Sequence, residues 1–267
     1  MSKRIDLLGI DPQVDFCAKN GALSVPGADE DMERVVSMIE RMGERFEDIH
    51  ITLDSHHLFH IANPPFWMSS GGKHPDPFTL ISAEMVERGE WIPTIPHLRK
   101  RALEYVRTLE SNGRYVLCIW PPHCLIGSTG HALVPTLFEA LVSWERKNIA
   151  VVDKVTKGSN LYTEHYSAVK ADVVDSSDPT TQLNTKLIQT LEEADEIVIF
   201  GEAISHCLKF TVEDIADGFS DERYIQKMVL LTDAASAVPG FEAQGEEFVR
   251  QMVARGMRTS TTREYMA

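Results

Sequence analysis

Short and nearly continuous apolar runs recur along the chain and predict the strands of a parallel sheet. Runs of this kind, rich in Val, Ile and Leu, are typical of strands that are covered on both faces. Amphipathic helical patterns lie between most of them, as in DEDMERVVSMIERMGERF from residue 29 onward. The predicted strands cover residues 5–10, 48–53, 115–120, 149–153, 196–201 and 227–232.

Strands that alternate with helices favour an α/β fold, here a Rossmann-like parallel sheet of about six strands with helices on both faces. We expect a single domain over residues 1–267, with an insertion at about 61–112. The stretch from residue 61 to residue 96 is rich in Pro and Gly and longer than ordinary loops in compact domains. It therefore reads as a lid or an inserted subdomain.

Charge and hydropathy exclude two classes of partner. The chain carries a formal charge of −14 and its basic residues form no run beyond LRKR at 98–101, whereas nucleic acid binding needs a basic face. No apolar run approaches the roughly 18 residues that cross a bilayer, and Asp6 interrupts the first apolar segment before it reaches the length of a signal peptide. We expect a cytoplasmic protein that binds neither nucleic acid nor membrane.

The four cysteines, Cys17, Cys118, Cys124 and Cys207, form no CxxC pair and are too few for a disulfide framework in a chain of this length. They are interpreted as reduced thiols. Free cysteine usually behaves as a small buried hydrophobe, so each must be judged on its reactivity.

Reactive side chains follow the ends of several predicted strands. In open parallel sheets, ligands bind beyond the carboxyl ends of the strands, so five strand ends are expected to deliver their polar groups to one edge. The residues concerned are Asp11, Asp54, His56, His123, Lys157 and Cys207.

The tract LDSHHLFH, residues 53–60, has the composition of a metal site. A carboxylate from Asp54 and imidazoles from His56 and His60 suit Zn, Fe or Mn, and His123 could complete the set with positions open for water. The alternative is a solvated loop. Spacing alone does not decide whether His57 or its neighbours point inward.

The segment WPPHC, residues 120–124, places two prolines directly after a predicted strand. Proline restricts the backbone, so His123 would be held in a rigid loop, as a metal ligand requires. Trp120 could form a wall for a flat ring. The alternative is a core Trp and a surface His on a stiff turn.

Cys207 follows the strand EIVIFG and precedes the helical pattern LKFTVEDIADGF. It would therefore stand at a strand-to-helix elbow, where the helix dipole favours a thiolate and backbone N–H groups are available for an oxyanion. A buried structural cysteine is the alternative reading.

Asp11 ends an apolar strand and needs a partner if it is buried. Lys157 is the obvious one, since an Asp–Lys–Cys cluster would set a charge beside the thiol and make the carboxylate a general base. Lys154 is a rival for that role, and either lysine could be an ordinary surface residue.

These segments occur in an order that resembles the nicotinamidase and pyrazinamidase branch of the isochorismatase-like cysteine hydrolases. LLGIDPQVDFCAKNGALSVPGA resembles the start of that family, LDSHHLFH its metal loop, and WPPHC with GSTGHAL its third metal-ligand segment. KGSNLYTEHYSAV resembles its catalytic-lysine segment, and GEAISHCLKFTVEDI its nucleophile elbow.

The resemblance implies a role for each matching residue. Asp11 would be the general base, Lys157 the charge-stabilising lysine, and Cys207 the nucleophile. Gly158 and the distance to YSA favour Lys157 over Lys154. By the same resemblance, Asp54, His56, His60 and His123 would hold one divalent metal ion, Phe16 and Trp120 would enclose the pyridine ring, and the N–H groups of Ala203 and Cys207 would form the oxyanion hole after a cis peptide before Ala203.

The resemblance also implies an activity. It predicts a metal-dependent hydrolysis of nicotinamide to nicotinic acid and ammonia through a thioester, within NAD salvage, with Zn as the first choice of metal and Fe or Mn as alternatives. A small carboxamide is the expected partner, and a homo-oligomer stays an option. The alternatives are another small amide or ureide as substrate, or a catalytically silent binding member of the family.

Two features depart from the family pattern. Glu202 precedes Ala203 where an apolar residue is usual, and Ile204 and Ser205 replace the usual Thr-Asp. The chain also has additional residues between His60 and Trp120, which could reshape the entrance to the site.

Overall fold

A computed structural model of the protein describes residues 3–266. The strands are β1 (Ile5–Ile10), β2 (Asp48–Asp54), β3 (Trp67–Ser69), β4 (Leu80–Ile81), β5 (Trp91–Pro93), β6 (Leu117–Cys118), β7 (Asp153–Lys157), β8 (Glu196–Gly201), β9 (Met228–Leu231) and β10 (Arg258–Ser260). The helices are α1 (Val14–Cys17), α2 (Ala28–Met42), α3 (Ala83–Arg88), α4 (Arg99–Ser111), α5 (Pro135–Asn148), α6 (Thr185–Glu193), α7 (Cys207–Gly218) and α8 (Glu242–Arg255).

Six strands form the central sheet in the order β10-β9-β8-β1-β2-β7. Every neighbouring pair is parallel, as expected when strands alternate with helices along the chain. The predicted α/β fold with a six-stranded parallel sheet is confirmed.

Helices cover the sheet on both faces. All residues of β1 and β8 are buried, which requires packing above and below them. Helix α2 packs against α5, while α7 packs against α6 and α8. The apolar positions predicted for the first long helix face the core, since Met32, Val35, Met38, Ile39 and Met42 are buried on α2.

Two predicted strands are placed differently in the structure. The segment 115–120 is not part of the sheet. Its short strand β6 pairs antiparallel with β4, and the Trp120 N–H donates to the Ala62 carbonyl. The backbone of this segment is thus already hydrogen-bonded, and the place beside β2 belongs to β7.

The strand predicted at 149–153 begins only at Asp153. Helix α5 continues through Asn148, and Ile149 caps it in the left-handed conformation, so the residues after it are needed to reach the sheet. Ile149 and Val151 are exposed as a result. The sixth place in the sheet is taken by β10, a short C-terminal strand with little apolar content that the pattern did not predict.

Residues 61–112 carry secondary structure of their own, including the two-stranded sheet β3-β5 and helices α3 and α4. The buried Trp67 and Phe66 anchor this segment to the core. Its classification as an insertion within a single domain stays a prediction.

No helix in residues 3–266 combines the length and the apolar character needed to span a bilayer.

Candidate active site

The register of the parallel strands brings the predicted catalytic residues to one edge of the sheet. Asp54 and Lys157 stand directly opposite each other at the ends of β2 and β7. Asp11 follows β1, and Cys207 follows the elbow after β8, the strand next to β1. Four of the five strand ends that the sequence predicted to converge therefore do so.

Lys157 is the centre of this group. Its Nζ lies 3.0 Å from Asp11 Oδ2 and 3.0 Å from Asp54 Oδ1, and 3.6 Å from Cys207 Sγ. It also donates to the carbonyl of His165 at 2.8 Å. Burial opposes the charged form of Lys157, but Asp11 and Asp54 raise its pKa well above the usual value. The rival Lys154 contacts the Val152 carbonyl and Glu145 instead.

Asp11 is fully buried and adopts a left-handed backbone, with φ of 46°. Its Oδ1 accepts a hydrogen bond from the Thr52 hydroxyl at 2.5 Å, and its N–H donates to the same hydroxyl at 3.0 Å. Burial raises the pKa of Asp11, while Lys157 and the Thr52 hydroxyl act to lower it. A carboxyl whose pKa is raised in this way is suited to accept and return a proton.

Cys207 opens helix α7 at the predicted elbow. Burial raises the pKa of its thiol well above the usual value, Lys157 acts to lower it, and Asp11 acts to raise it. The resting side chain is therefore a neutral thiol, and a thiolate can form only when a neighbour takes the proton. The peptide bond between Glu202 and Ala203 is cis, as predicted.

The elbow leaves two backbone donors free. In the described residues, neither the Ala203 N–H nor the Cys207 N–H donates to a backbone carbonyl. The first N–H groups of a helix have no partner within it. Free N–H groups beside a nucleophile are the donors that an oxyanion requires.

Asp54, His56 and His123 meet in one buried group whose ligand atoms all lie within 4.8 Å of one another. Asp54 Oδ2 is 2.9 Å from His56 Nε2 and 3.3 Å from His123 Nε2. Burial would raise the pKa of Asp54, but His56 and Lys157 hold it well below its usual range.

The hydrogen bonds of Nδ1 in His56 and His123 show which nitrogen of each imidazole is available to a metal ion. His56 Nδ1 pairs with the Gly158 carbonyl at 3.1 Å, and His123 Nδ1 with the Pro121 carbonyl at 2.8 Å. Because a carbonyl can only accept, each Nδ1 carries a proton, and Nε2 is the nitrogen of each ring that can bind a cation beside Asp54. Three electron-pair donors that face one point fit a divalent cation, and the backbone contacts orient the rings as in known metal sites.

Gly158 permits this close approach. A Cβ at this position would lie 2.7 Å from Asp54 Oδ1 and 2.9 Å from His56 Cε1.

His60, predicted as a fourth ligand, lies in a second group with His56 and Glu164. Its Nδ1 accepts the N–H of Ala62 at 3.2 Å, and its Nε2 contacts the Thr163 carbonyl at 3.1 Å. Both nitrogens of His60 are thus engaged.

Glu164 was not predicted. Its Oε1 is 4.0 Å from His56 Nε2. Its position in the TEHYSAV segment is the one feature of the sequence that could have pointed to a place near the site.

Phe16 and Trp120 line the same pocket, together with Cys207 and Ala203. The Phe16 ring lies 5.3 Å from that of His123, and Trp120 Nε1 donates to the Tyr166 hydroxyl at 3.1 Å. The predicted ring-binding residues therefore share one pocket with Cys207 and with Asp54 and His123 of the metal group.

His123 reaches this pocket from a loop, as predicted, although the segment 115–120 before that loop is not a strand of the central sheet. The Cys124 N–H donates to Asp15 Oδ2 at 2.7 Å, and the His56 N–H donates to the Cys124 carbonyl at 3.0 Å. Gln13 fixes the end of β2, since its side chain accepts the Asp54 N–H at 2.7 Å and donates to the Asp54 carbonyl at 2.8 Å. These supporting roles of Asp15 and Gln13 were not predicted.

Glu202, the unusual residue of the elbow, is completely buried. One carboxylate oxygen accepts the Ser236 N–H at 3.0 Å, and the other has no hydrogen-bond partner in the described residues. The Ser236 hydroxyl donates to Asp31 at 2.6 Å, and the Ile204 N–H donates to the Ser236 carbonyl at 2.9 Å. Burial raises the pKa of Glu202 well above its usual value, and Asp31 adds to this.

We expect Glu202→Gln to stabilise the protein at neutral and alkaline pH. The raised pKa means that the folded state binds the Glu202 proton more tightly than the unfolded state does. The wild type therefore loses stability as pH rises above the unfolded-state pKa, by up to about 1.4 kcal/mol per pH unit. Glutamine keeps the acceptor for Ser236 and has no proton to lose.

Urea unfolding of both proteins at pH 5 and pH 8 measures this effect. The advantage of the variant should grow from pH 5 to pH 8. An equal difference in the free energy of unfolding at the two pH values would mean that Glu202 titrates normally. Exposed Glu246→Gln on α8 is the control.

Comparison with known proteins shows which enzymes the chain is similar to. No family model matches the chain. The nicotinamidase of Saccharomyces cerevisiae is 25% identical over 211 residues, which cover 79% of this chain and 81% of that enzyme. The nicotinamidase of Escherichia coli is 29% identical over 210 residues, which cover 78% of this chain and 74% of that enzyme.

Solved structures agree on the fold. The yeast nicotinamidase bound to the inhibitor nicotinaldehyde superposes with a TM-score of 0.66 at 19% identity, over 96% of this chain and 99% of that one. The pyrazinamidase of Pyrococcus horikoshii in complex with zinc gives a TM-score of 0.57 at 20% identity, over 97% and 99% of the two chains. The chain is therefore similar to two nicotinamidases over most of its length, and its six-stranded sheet has the fold of the solved nicotinamidase structures.

Proposed function

We propose that the protein hydrolyses nicotinamide to nicotinic acid and ammonia, with Cys207 as nucleophile, Asp11 as general base and Lys157 as the stabilising cation. The observation that carries the proposal is the single buried ammonium of Lys157 between two carboxylates and a thiol. The similarity to two nicotinamidases supports the choice of substrate.

The first half of the reaction forms a thioester. Asp11 takes the thiol proton of Cys207, and the thiolate attacks the amide carbon. Lys157, 3.6 Å from the sulfur, compensates the negative charge as it moves from the carboxylate to the thiolate. Asp11 then gives the proton to the departing nitrogen, which leaves as ammonia.

The second half releases the acid. Asp11 takes a proton from water as the water attacks the thioester carbon, and that proton returns to the sulfur when nicotinic acid leaves. In both halves the negative oxygen of the tetrahedral intermediate accepts hydrogen bonds from the Ala203 and Cys207 N–H groups, which have no backbone acceptor in the described residues.

Phe16 and Trp120 would enclose the ring and orient the carboxamide toward Cys207, since both line the pocket that contains the nucleophile. Asp54, His56 and His123 would hold a divalent ion at the edge of the same pocket. Such an ion supplies a Lewis acid for the pyridine nitrogen. The zinc in the Pyrococcus horikoshii pyrazinamidase supports Zn as the first candidate.

The proposed product also suggests a biological setting. Nicotinic acid is the deamidated ring from which pyridine nucleotides can be rebuilt, so the predicted role in NAD salvage follows from the proposed reaction.

Ammonia release from nicotinamide by the purified, metal-loaded protein tests the activity. Cys207→Ala should reduce kcat/KM by roughly a thousandfold or more, because the nucleophile acts as a unit with its base. Cys118→Ala is the matched control, since it truncates a buried cysteine outside the group around Lys157.

Turnover that survives in Cys207→Ala would contradict the assigned nucleophile. A wild type that hydrolyses another small amide or ureide but not nicotinamide would contradict the substrate and leave the chemistry in place. A wild type that binds nicotinamide without turning over any amide would favour the catalytically silent alternative.

Metal content tests the ligands. We expect His123→Gln to lose most of the bound metal, because its Nε2 faces Asp54 at 3.3 Å. His60→Gln should retain more, since both nitrogens of His60 already contact backbone groups. Elemental analysis of the two variants after dialysis decides between three and four ligands, and an equal loss would establish His60 as a ligand, as predicted from the sequence.

Thr52→Val tests Asp11 as the base. The Thr52 hydroxyl lowers the pKa of Asp11, so its removal should raise that pKa. Because the base must be deprotonated, the acidic limb of the kcat/KM profile should move to higher pH. Thr156→Val on β7, with an exposed side chain, is the control. An unshifted acidic limb would assign it to a group other than Asp11.

A further inference from the structure

The side chain of Glu202 is buried beside the elbow, and the mechanism above does not use it. Ser236 contacts the residues on both sides of Ala203. Its N–H donates to Glu202 Oε2 at 3.0 Å, and its carbonyl accepts the Ile204 N–H at 2.9 Å. The Glu202 N–H in turn donates to the Ile10 carbonyl at 2.8 Å. Ala203, whose N–H is a proposed oxyanion donor, is therefore held in position by the two residues that flank it.

A second carboxyl group, that of Asp31 on α2, is buried in the same cluster. The Ser236 hydroxyl donates to Asp31 Oδ2 at 2.6 Å, and Arg34 Nη2 donates to Asp31 Oδ1 at 2.5 Å. Arg34 also donates from Nε to the Asp233 carbonyl at 2.6 Å. Because Asp31 has two donors and a cation of its own, it is the carboxyl group of the cluster that is suited to carry a negative charge.

The carboxyl group of Glu202 is suited to keep its proton. Oε1 has no donor within the described residues, and a buried acceptor without a donor is costly. Burial raises the pKa of Glu202 well above its usual value, and the charge of Asp31 and a hydrogen bond between the two side chains add to this. A neutral acid can both accept and donate, so Glu202 satisfies its two oxygens with Ser236 as donor and Asp31 as acceptor.

The other titratable groups around Glu202 supply no second cation. Cys17 on α1 is a thiol whose pKa burial and the charge of Glu202 raise well above the usual value. Asp11, after β1, already pairs with the proposed catalytic lysine at 3.0 Å. Asp233, after β9, accepts two hydrogen bonds of 2.7 Å from the C-terminal segment. Of these groups and those of α2, Arg34 alone is cationic.

Ionisation of Glu202 would therefore leave two buried carboxylates with one counter-charge. Like charges that share a site of low dielectric constant repel each other strongly. Asp31 belongs to a helix of 15 residues that packs against α5, whereas Glu202 belongs to the short connection between β8 and α7. The elbow is the part that yields, and its displacement would carry the Ala203 N–H away from the oxyanion.

We propose that Glu202 is a positioning residue that must keep its proton for the elbow to hold the Ala203 N–H in place, so that loss of this proton sets the alkaline limit of catalysis. Glu202 does not line the pocket of Cys207, and it acts through the backbone of the elbow. This inference rests on the proposed function for the type of reaction, and it adds a control by pH to the same site.

Two substitutions should move the alkaline limb of the kcat profile in opposite directions. Glu202→Gln keeps an acceptor for Ser236 and a donor for Asp31 and has no proton to lose. The limb should therefore disappear or move up by about one pH unit or more. Asp31→Asn removes the charge that repels ionised Glu202, so the limb should move to lower pH. Glu33→Gln, exposed on the same helix, is the control that should leave the limb in place.

The effect should appear in kcat and not in KM, because an oxyanion donor acts mainly in the transition state. In the wild type, kcat should fall about tenfold per pH unit above the midpoint. Circular dichroism at each pH tests for unfolding, and a limb that coincides with unfolding would overturn the proposal. So would a limb that is the same in wild type and Glu202→Gln, or one that Asp31→Asn leaves in place. Either variant decides alone if the other does not fold.

A methyl resonance tests the link between Glu202 and the elbow without turnover. In protein labelled with carbon-13 in the alanine methyl groups, the Ala203 resonance is assigned by its absence in Ala203→Gly. It should shift with pH in the wild type and lose that shift in Glu202→Gln. If the wild type hydrolyses no amide, the proposed function fails, and this titration still decides the link. An Ala203 resonance that does not titrate, or that titrates equally in Glu202→Gln, would overturn the inference.

Discussion

The buried ammonium of Lys157 is the interaction on which the site depends. Asp11 and Asp54 are almost completely removed from solvent, and an unpaired carboxylate in such a position would be very costly. One lysine side chain lies 3.0 Å from both. Lys157 therefore stabilises the charged form of both carboxylates, and the two carboxylates in turn stabilise its own charge. The proposed base and the proposed metal ligand are thus coupled through one cation.

The register of the sheet determines this arrangement. Asp54 and Lys157 meet because β2 and β7 pair in parallel with those two residues opposite each other. A shift of one residue would turn either side chain to the other face. The sheet positions Asp54 and Lys157, and the loops beyond it supply other residues of the site. The WPPHC loop brings His123, and the elbow after β8 brings Cys207. The reactive side chains therefore lie at the ends of the same strands that form the buried core.

Polar groups without a partner mark the parts of the site that are suited to bind a ligand. Most buried polar groups of folded proteins are hydrogen-bonded, so three groups stand out within residues 3–266: the N–H groups of Ala203 and Cys207, which have no backbone acceptor, and Nε2 of His206, which has no hydrogen-bond partner. All three adjoin one pocket. Glu202 is a different case. Its carboxylate ties the elbow to the loop at Ser236, and its second oxygen faces the protein interior.

The sequence by itself determined the fold class and named the residues that the structure gathers around Cys207. Apolar runs located β1, β2, β8 and β9 to within a residue or two, because central parallel strands are buried on both faces and have a composition of their own. Edge elements were harder. β10 has almost no apolar pattern, β7 begins later than its apolar run, and the run at 115–120 is buried outside the sheet. The apolar composition of residues 115–120 indicates that this segment is buried. Only its hydrogen-bonding partners show whether it is a strand of the sheet or a buried loop.

Only the tertiary structure decided the hydrogen bonds that orient the site. Thr52 with Asp11, Gln13 with Asp54, and the carbonyl that fixes each metal-group imidazole are pairs from distant parts of the chain or from backbone atoms, which carry no signature in the sequence. The motif spacing named four metal ligands, whereas the folded chain gathers three in one group and engages both nitrogens of His60 elsewhere. The sequence determines which groups are present, and the packing of remote segments determines which atoms face one another.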